Sequence, residues 1–298
     1  MAAVKQQHYL PQFYLRSFTD ERGFLHVVRR FGGHLGPIYE SKPNRVCCQS
    51  YLYEVKRRSP GHEEEFIEKG SIETLLGKAE TVLARRYCNL LRCLEDGRLP
   101  GDKSDFIEDL VALISFFVVR SPKWLQSKRN DAADVADRLS KVGLLSEGDI
   151  AQLSAEGLLG ELEAFAELGI MDTALFSMAD GAPMRTLAKL MLDMRCCFLK
   201  SVGRLEFVTA SFPVYVAWAS ETDERPAGVY FPLNPRFAVV LRKSARSGGG
   251  VAFIDDASDE LVLSLNRTLM NGSDAWDALV ASSGGALEDL VKEYCRSN

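Results

Sequence analysis

The sequence predicts an α+β fold, a central helical block packed beside a mainly antiparallel sheet built from N-terminal and C-terminal strands. Two observations carry this. Residues 63–200 are dominated by apolar positions at three- and four-residue steps, whereas both flanks hold short β-branched and aromatic runs cut by Gly and Pro. The order is strands, helices, strands, helices, without the strict alternation of a doubly wound sheet. At 298 residues and 46% hydrophobic content the chain can bury one large core, so the simplest reading is one domain over residues 1–298. The alternative is a helical block, roughly 63–200, inserted into a β scaffold.

In chain order, a short helix or turn at the N-terminus is followed by a strand at Gly23–Arg30 and a glycine turn in RFGGHLGP. A second extended stretch covers Arg45–Lys56, where Tyr51, Tyr53 and Val55 alternate with other side chains. From Glu63, Phe66, Ile67, Leu75, Leu76, Ala79, Val82 and Leu83 predict an amphipathic helix, with Gly70 as a break. A central buried helix runs from Asp105 to Arg120, N-capped by Ser104 and stopped by the proline step Arg120-Ser121-Pro122. Further helices are expected at Lys123–Val142, Glu147–Glu167 and Pro183–Lys200. From Arg204, the runs RLEFVTA, VYVAWA, GVYFPL, FAVVLR and VAFID read as antiparallel strands, and helices at Asp259–Ser282 and Leu287–Arg296 close the chain. SARSGGG, residues 244–250, reads as a mobile loop.

Composition excludes several classes of function. A net charge of −5 argues against broad binding to nucleic acid or anionic membranes, leaving only a local basic patch for such a partner. The apolar run Leu110–Val119 falls short of the roughly 20 residues that cross a bilayer, so no membrane partner is expected. Seven cysteines, odd in number and including the neighbours Cys47-Cys48 and Cys196-Cys197, read as reduced thiols. With no secretory signal at the N-terminus, the expected location is cytoplasmic. GxxxxGK[ST], HExxH, GxSxG and CxxC are all absent, which removes support for Walker-type hydrolysis, zincin proteolysis, lipase-like acyl transfer and zinc ribbons. No metal ligand set and no cofactor can be assigned, and an acidic chain of this size is compatible with a homodimer.

The stretch QHYLPQFYLRSF, residues 7–18, concentrates aromatic residues, an imidazole and an arginine. Its His8, Tyr9, Pro11, Tyr14, Leu15 and Phe18 match a His-Tyr-x-Pro-x-x-Tyr-Leu-x-x-Phe motif, and the whole chain resembles the bacterial domain-of-unknown-function family numbered 4238. The resemblance continues through Ile72–Glu80, Arg120–Pro122, Phe207–Pro213, Pro232–Pro235 and Asn266. It departs at Ser211-Phe212, where the family pattern has Asp-Asn. An acid and an amide are replaced by a hydroxyl and an aromatic ring. The resemblance implies a fold and a set of residues to weigh, but no reaction.

Among those residues, His8 titrates near neutrality and can act as acid, base or ligand. The competing reading is that it hydrogen-bonds the first helical turn. Glu73 and Glu80 lie seven positions apart, close to one helix face, able to orient His8 or simply to face solvent. Arg120 ends an apolar helix and must either snorkel outward or meet an internal acid or an anionic ligand. These four are the catalytic candidates; Tyr9, Gln12, Arg16, Thr209 and Ser211 are the substrate-binding candidates. Leu10, Phe13, Tyr14 and Phe18 read as packing. Two nuclease-like patterns are weaker: Arg29 to His34, and Glu54-x-Lys56 with Asp20 upstream. A basic cluster at Lys56, Arg57 and Arg58, with Arg29 and Arg30, is the candidate nucleic-acid patch, against Glu63–Glu65 nearby. The functional expectation is a hydrolase acting on a phosphate-containing substrate such as nucleic acid. The alternative is a non-catalytic binding or regulatory protein whose N-terminal motif is a structural lock.

Overall fold

Strand β1 (Gln6–His8) opens this computed structural model, which describes residues 6–180, 191–218, 227–243, 252–272 and 276–297. Pro11 follows at the N-cap of a short helix α1 (Gln12–Arg16), its carbonyl accepting from the amides of Tyr14 and Leu15, both at 3.1 Å. Next come β2 (Leu25–Phe31), β3 (His34–Leu35) and β4 (Tyr39–Ser41), with Gly32 and Gly33 turning the β2–β3 hairpin at φ +54° and +88°.

Arg45–Lys56, expected as one extended run, is broken into β5 (Cys48–Ser50) and β6 (Val55–Lys56). Cys47 and Tyr51 take positive φ on either side of β5, which no continuous strand tolerates. Residues from Glu63 are not yet helical either. Phe66 and Ile67 form β7 (Phe66–Ile67) against β6, and the helix starts only after Gly70, which sits in the left-handed region at φ +83°.

The helical block comprises α2 (Ser71–Glu95), α3 (Lys103–Arg120), α4 (Pro122–Ala133), α5 (Val135–Lys141), α6 (Glu147–Ala155) and α7 (Leu159–Asp180). Helix α3 begins two residues before the expected start, with Asp102 rather than Ser104 at its N-cap, and ends at the predicted proline step. There Ser121 takes over as N-cap of α4, its side chain accepting from the Trp124 amide at 3.2 Å. The two long helices expected after it are each split, the second at Gly157, where φ is +70°.

The expected helix over Pro183–Lys200 is overturned in its last part, since Met194–Ser201 is strand β8. It lies inside a five-stranded sheet of order β10-β11-β12-β8-β13, formed with β10 (Tyr215–Ala217), β11 (Gly228–Pro232), β12 (Phe237–Lys243) and β13 (Ala252–Ala257). All pairings are antiparallel except β13 with β8, which is parallel, so the sheet is mainly antiparallel as expected. Residues 244–250 lie outside the described residues.

After α8 (Asp259–Asn271) the expected helix again gives way to a strand, β14 (Ala278–Ala281), before α9 (Gly284–Ser297). Strand β14 joins the two ends of the chain. It pairs with the N-terminal β2 on one side and with β9 (Thr209–Ala210) on the other, giving the order β3-β2-β14-β9 with β4 also on β2. The fold is therefore α+β, with the β-rich ends meeting in one sheet and a second sheet built from the C-terminal part.

The faces of β12 explain how the layers stack. Phe237, Val239 and Leu241 point into a core shared with α2 and α3, while Ala238 and Val240 point into one shared with α8 and α9. Asn266 fastens α8 to the chain before β9, its Oδ1 accepting from the Val208 amide at 3.1 Å and its Nδ2 donating to the Glu206 carbonyl at 2.9 Å.

Candidate functional site

The motif at residues 7–18 is a set of joints between distant segments. Gln7 is buried, donating to Glu54 Oε1 at 2.9 Å and accepting from the Tyr53 amide at 2.8 Å. The Tyr9 hydroxyl reaches both carboxylate oxygens of Asp277, at 3.0 and 2.9 Å. The Tyr14 hydroxyl donates to the Pro232 carbonyl at 2.6 Å and meets Thr209 Oγ1 at 2.8 Å. Its ring lies among Phe18, Tyr87, Phe117 and Phe231, with centroids 5.0–5.9 Å away. Leu15 and Phe18 are fully buried.

His8 differs from these, because it is its backbone that is used as a joint. Its carbonyl accepts from Tyr53 Oη at 2.8 Å and from Arg120 through Nε at 3.0 Å and through Nη2. Its ring atom Nε2 is buried without a hydrogen-bond partner among the described residues. Burial and the Arg120 charge lower the imidazole pKa below the usual 6.5, against the opposing pull of Glu80 and of the Asn44 and Pro43 carbonyls.

Arg120 is 1% exposed, and Glu80 answers its charge with an Nη1–Oε2 contact of 2.9 Å. Arg120 Nε also donates to the Tyr53 hydroxyl at 3.2 Å, and the guanidinium stacks over Phe116 at 4.9 Å. Glu73, two helical turns before Glu80 on α2, has Oε2 buried and unpartnered among the described residues. Desolvation raises its carboxyl pKa above the usual 4.5; Glu80 and Glu54 push the same way, and Arg120 opposes. The four catalytic candidates thus fall in one electrostatically coupled cluster, with Tyr53 as a member that sequence reasoning did not single out. Tyr53 lies 67 residues from Arg120, and no spacing rule links them.

Beside the cluster a groove of about 350 Å³ runs between α1 and α2, lined by Gln12, Phe13, Arg16, Gly77, Glu80 and Ala84 among others. Glu80 belongs to both, lining the groove while it holds Arg120. Arg16 donates to Gln12 Oε1 at 3.2 Å. A larger groove of about 590 Å³ at the start of α2, with Glu68, Lys69, Ser71 and Asp172 in its wall, contains no residue of the motif.

Thr209 and Ser211 lie away from this groove, in the wall that holds β14. Thr209 is fully buried on Tyr14, and Ser211 Oγ accepts from the amides of Asp277 at 2.8 Å and Ala278 at 3.2 Å. Tyr9 is likewise turned toward Asp277, a partner hidden from sequence reasoning because residues 259–282 were expected to be helix. The basic cluster is largely answered by acids. Lys56 meets Glu64, Arg57 meets Glu65 and Glu161, and Arg58 meets Glu163 and Glu167.

Glu54, the acid of the Glu-x-Lys pattern, is buried and committed to Gln7 and to the Gly70 amide. Asp20 is elsewhere, grouped with His26 and Glu40 closely enough to hold a cation, yet Arg22 already pairs with both acids. Arg29 and His34 sit on the β2–β3 hairpin, with Arg29 donating to the Tyr39 hydroxyl at 3.1 Å. Among the described residues no helix is long and apolar enough to cross a membrane.

No curated protein and no solved structure matches the chain. A family model does, and it spans residues 6–283, from β1 through β14 and thus across the motif and the cluster; the chain belongs to the family described as protein of unknown function DUF4238.

Proposed function

We propose that the protein is a hydrolase acting on a phosphate-containing substrate, with the His8 imidazole as the acid–base group, Glu73 as a second proton-carrying group of the same cluster and Arg120 as a positioning residue. One observation carries this reading. Of the four buried side-chain polar atoms without a partner among the described residues, two, His8 Nε2 and Glu73 Oε2, fall in this single cluster. Leaving such an atom unpaired costs about 1–3 kcal/mol, and that cost recurs where a group is kept free for chemistry.

The electrostatics suit the roles. An imidazole held below its usual pKa stays neutral at neutral pH and can accept a proton, while a carboxyl raised above its usual pKa is closer to donating one. Arg120 spends its donors on the His8 carbonyl, Tyr53 and Glu80, so it fixes the backbone that presents the imidazole instead of gripping a substrate anion.

The test compares wild type with His8→Asn and Glu73→Gln on RNA, DNA and phosphomonoester substrates, with and without Mg²⁺ or Mn²⁺, alongside thermal melts. Cleavage by wild type that both variants lose, with melting temperatures no lower than that of wild type, supports the assignment. Wild type inert toward all three substrates, with a lowered melting temperature for His8→Asn, favours the second reading, a non-catalytic binding or regulatory protein with the motif as a lock. The internal saturation of Arg120 and the Ser211-Phe212 departure are the observations on that side.

A further inference from the structure

The groove between α1 and α2 carries an unbalanced set of charges. Glu80 and Arg120 cancel each other across a 2.9 Å contact. Arg16, on the opposite wall, makes a hydrogen bond to Gln12 but no ion pair among the described residues, which leaves a positive charge in the groove unanswered. Glu80 Oε1, by contrast, takes part in no hydrogen bond among the described residues and, on a side chain 28% exposed, is an acceptor open to solvent or to a ligand. Between them lies an apolar floor of Phe13, Gly77 and Ala84. At Gly77 a Cβ would meet nothing within 4 Å, so the helix surface there is open to a ligand.

An anionic group for Arg16, a hydroxyl or amino group for Glu80, and a flat apolar body against Phe13 together describe a phosphorylated ring compound. The space of about 350 Å³ sits at the small end of ligand sites, which run from about 300 to about 1,000 Å³. We propose that this groove binds one nucleotide unit, its phosphate on Arg16, its sugar hydroxyl or base amine on Glu80 and its ring on Phe13. The unit comes either from a free mononucleotide or from the end of a strand. The inference rests on the phosphate-substrate reading above and names a class of substrate for the groove beside that cluster, which shares Glu80 with it.

Binding is measured without turnover, by calorimetric titration of the full chain with 5′-AMP and, separately, with a 5′-phosphorylated tetranucleotide, using inorganic phosphate as competitor. Two variants replace no residue of the His8 cluster. Arg16→Ala removes the anion contact and is expected to weaken binding about tenfold or more; Gly77→Phe fills the open floor and is expected to abolish it. Preference for AMP assigns a free nucleotide, and preference for the tetranucleotide assigns a strand end. Failure of both probes to bind wild type, or undiminished binding in Gly77→Phe at an unchanged melting temperature, overturns the proposal. Because binding is read here and cleavage in the His8 assay, failure of the groove and failure of the hydrolytic reading give different results.

Discussion

At the scale of the residue, His8 and Glu73 should leave opposite marks on stability as pH changes. The folded-state pKa of His8 lies below the usual 6.5, so between those two values the unfolded chain binds more protons than the folded one. Its contribution is complete above about pH 6.5 and is lost as pH falls toward the folded value. Glu73 has the other sign. Its folded pKa lies above the usual 4.5, so in that window the folded chain binds more protons and stability rises as pH falls. Urea midpoints measured from about pH 8 down to about pH 4 should separate the two. His8→Gln should lose less stability than wild type on descending below neutrality, and Glu73→Gln should be more stable than wild type at neutral pH and lack its gain on acidification. Superimposable pH profiles for all three proteins would show that neither group is desolvated in the folded state.

At the scale of the element, Arg120 joins the end of α3 to β1 and α2, and the sequence showed this only in part. Helix α3 is legible because its apolar residues go almost all the way round and a proline step stops it, which also marks Arg120 as a charge that must either snorkel outward or find a partner inside; the structure turns it inward. What Arg120 meets is not legible, since the His8 carbonyl is 112 residues away and Tyr53 sits in a loop bent by positive φ at Tyr51. Strands β8 and β14 were missed for a related reason. Met194–Ser201 and Ala278–Ala281 are short apolar runs that read equally as buried helix, and only their partners, β12 and β13 for one and β2 and β9 for the other, make them strands. The local role of Arg120 is nevertheless testable. Arg120→Met leaves the Glu80 carboxylate without its donor and the His8 carbonyl with Tyr53 alone, and the expected loss is about 3–5 kcal/mol. Arg120→Lys should recover little of it, because a point charge cannot span the His8 carbonyl, Tyr53 and Glu80 as a fork does. A loss below about 1 kcal/mol in urea unfolding would place this joint with ordinary surface pairs.

At the scale of the whole molecule, the N-terminal motif decides whether the helical block can stand apart from the β-rich ends. Tyr14 packs at a tilt against Phe117 of α3, stacks on Phe231 of β11 and bonds to Thr209 of β9, while Tyr9 reaches Asp277 beside β14. One continuous core accordingly runs from Tyr9 through α2 and α3 to Val280. An inserted helical domain would instead have a core of its own and would melt by itself. The three tryptophans allow the choice to be made. Trp124 lies on α4 in the helical block, whereas Trp276 is buried beside β14, its Nε1 donating to the Met270 carbonyl at 2.8 Å and its ring beneath Arg30 at 4.1 Å. Variants retaining only Trp124 or only Trp276 should unfold in urea at coincident midpoints, and Tyr14→Ala should lower both midpoints together even though the substitution touches neither tryptophan. Separated midpoints, or a Tyr14→Ala effect confined to one reporter, would make the helical block an insertion and confine the lock to the β-rich ends.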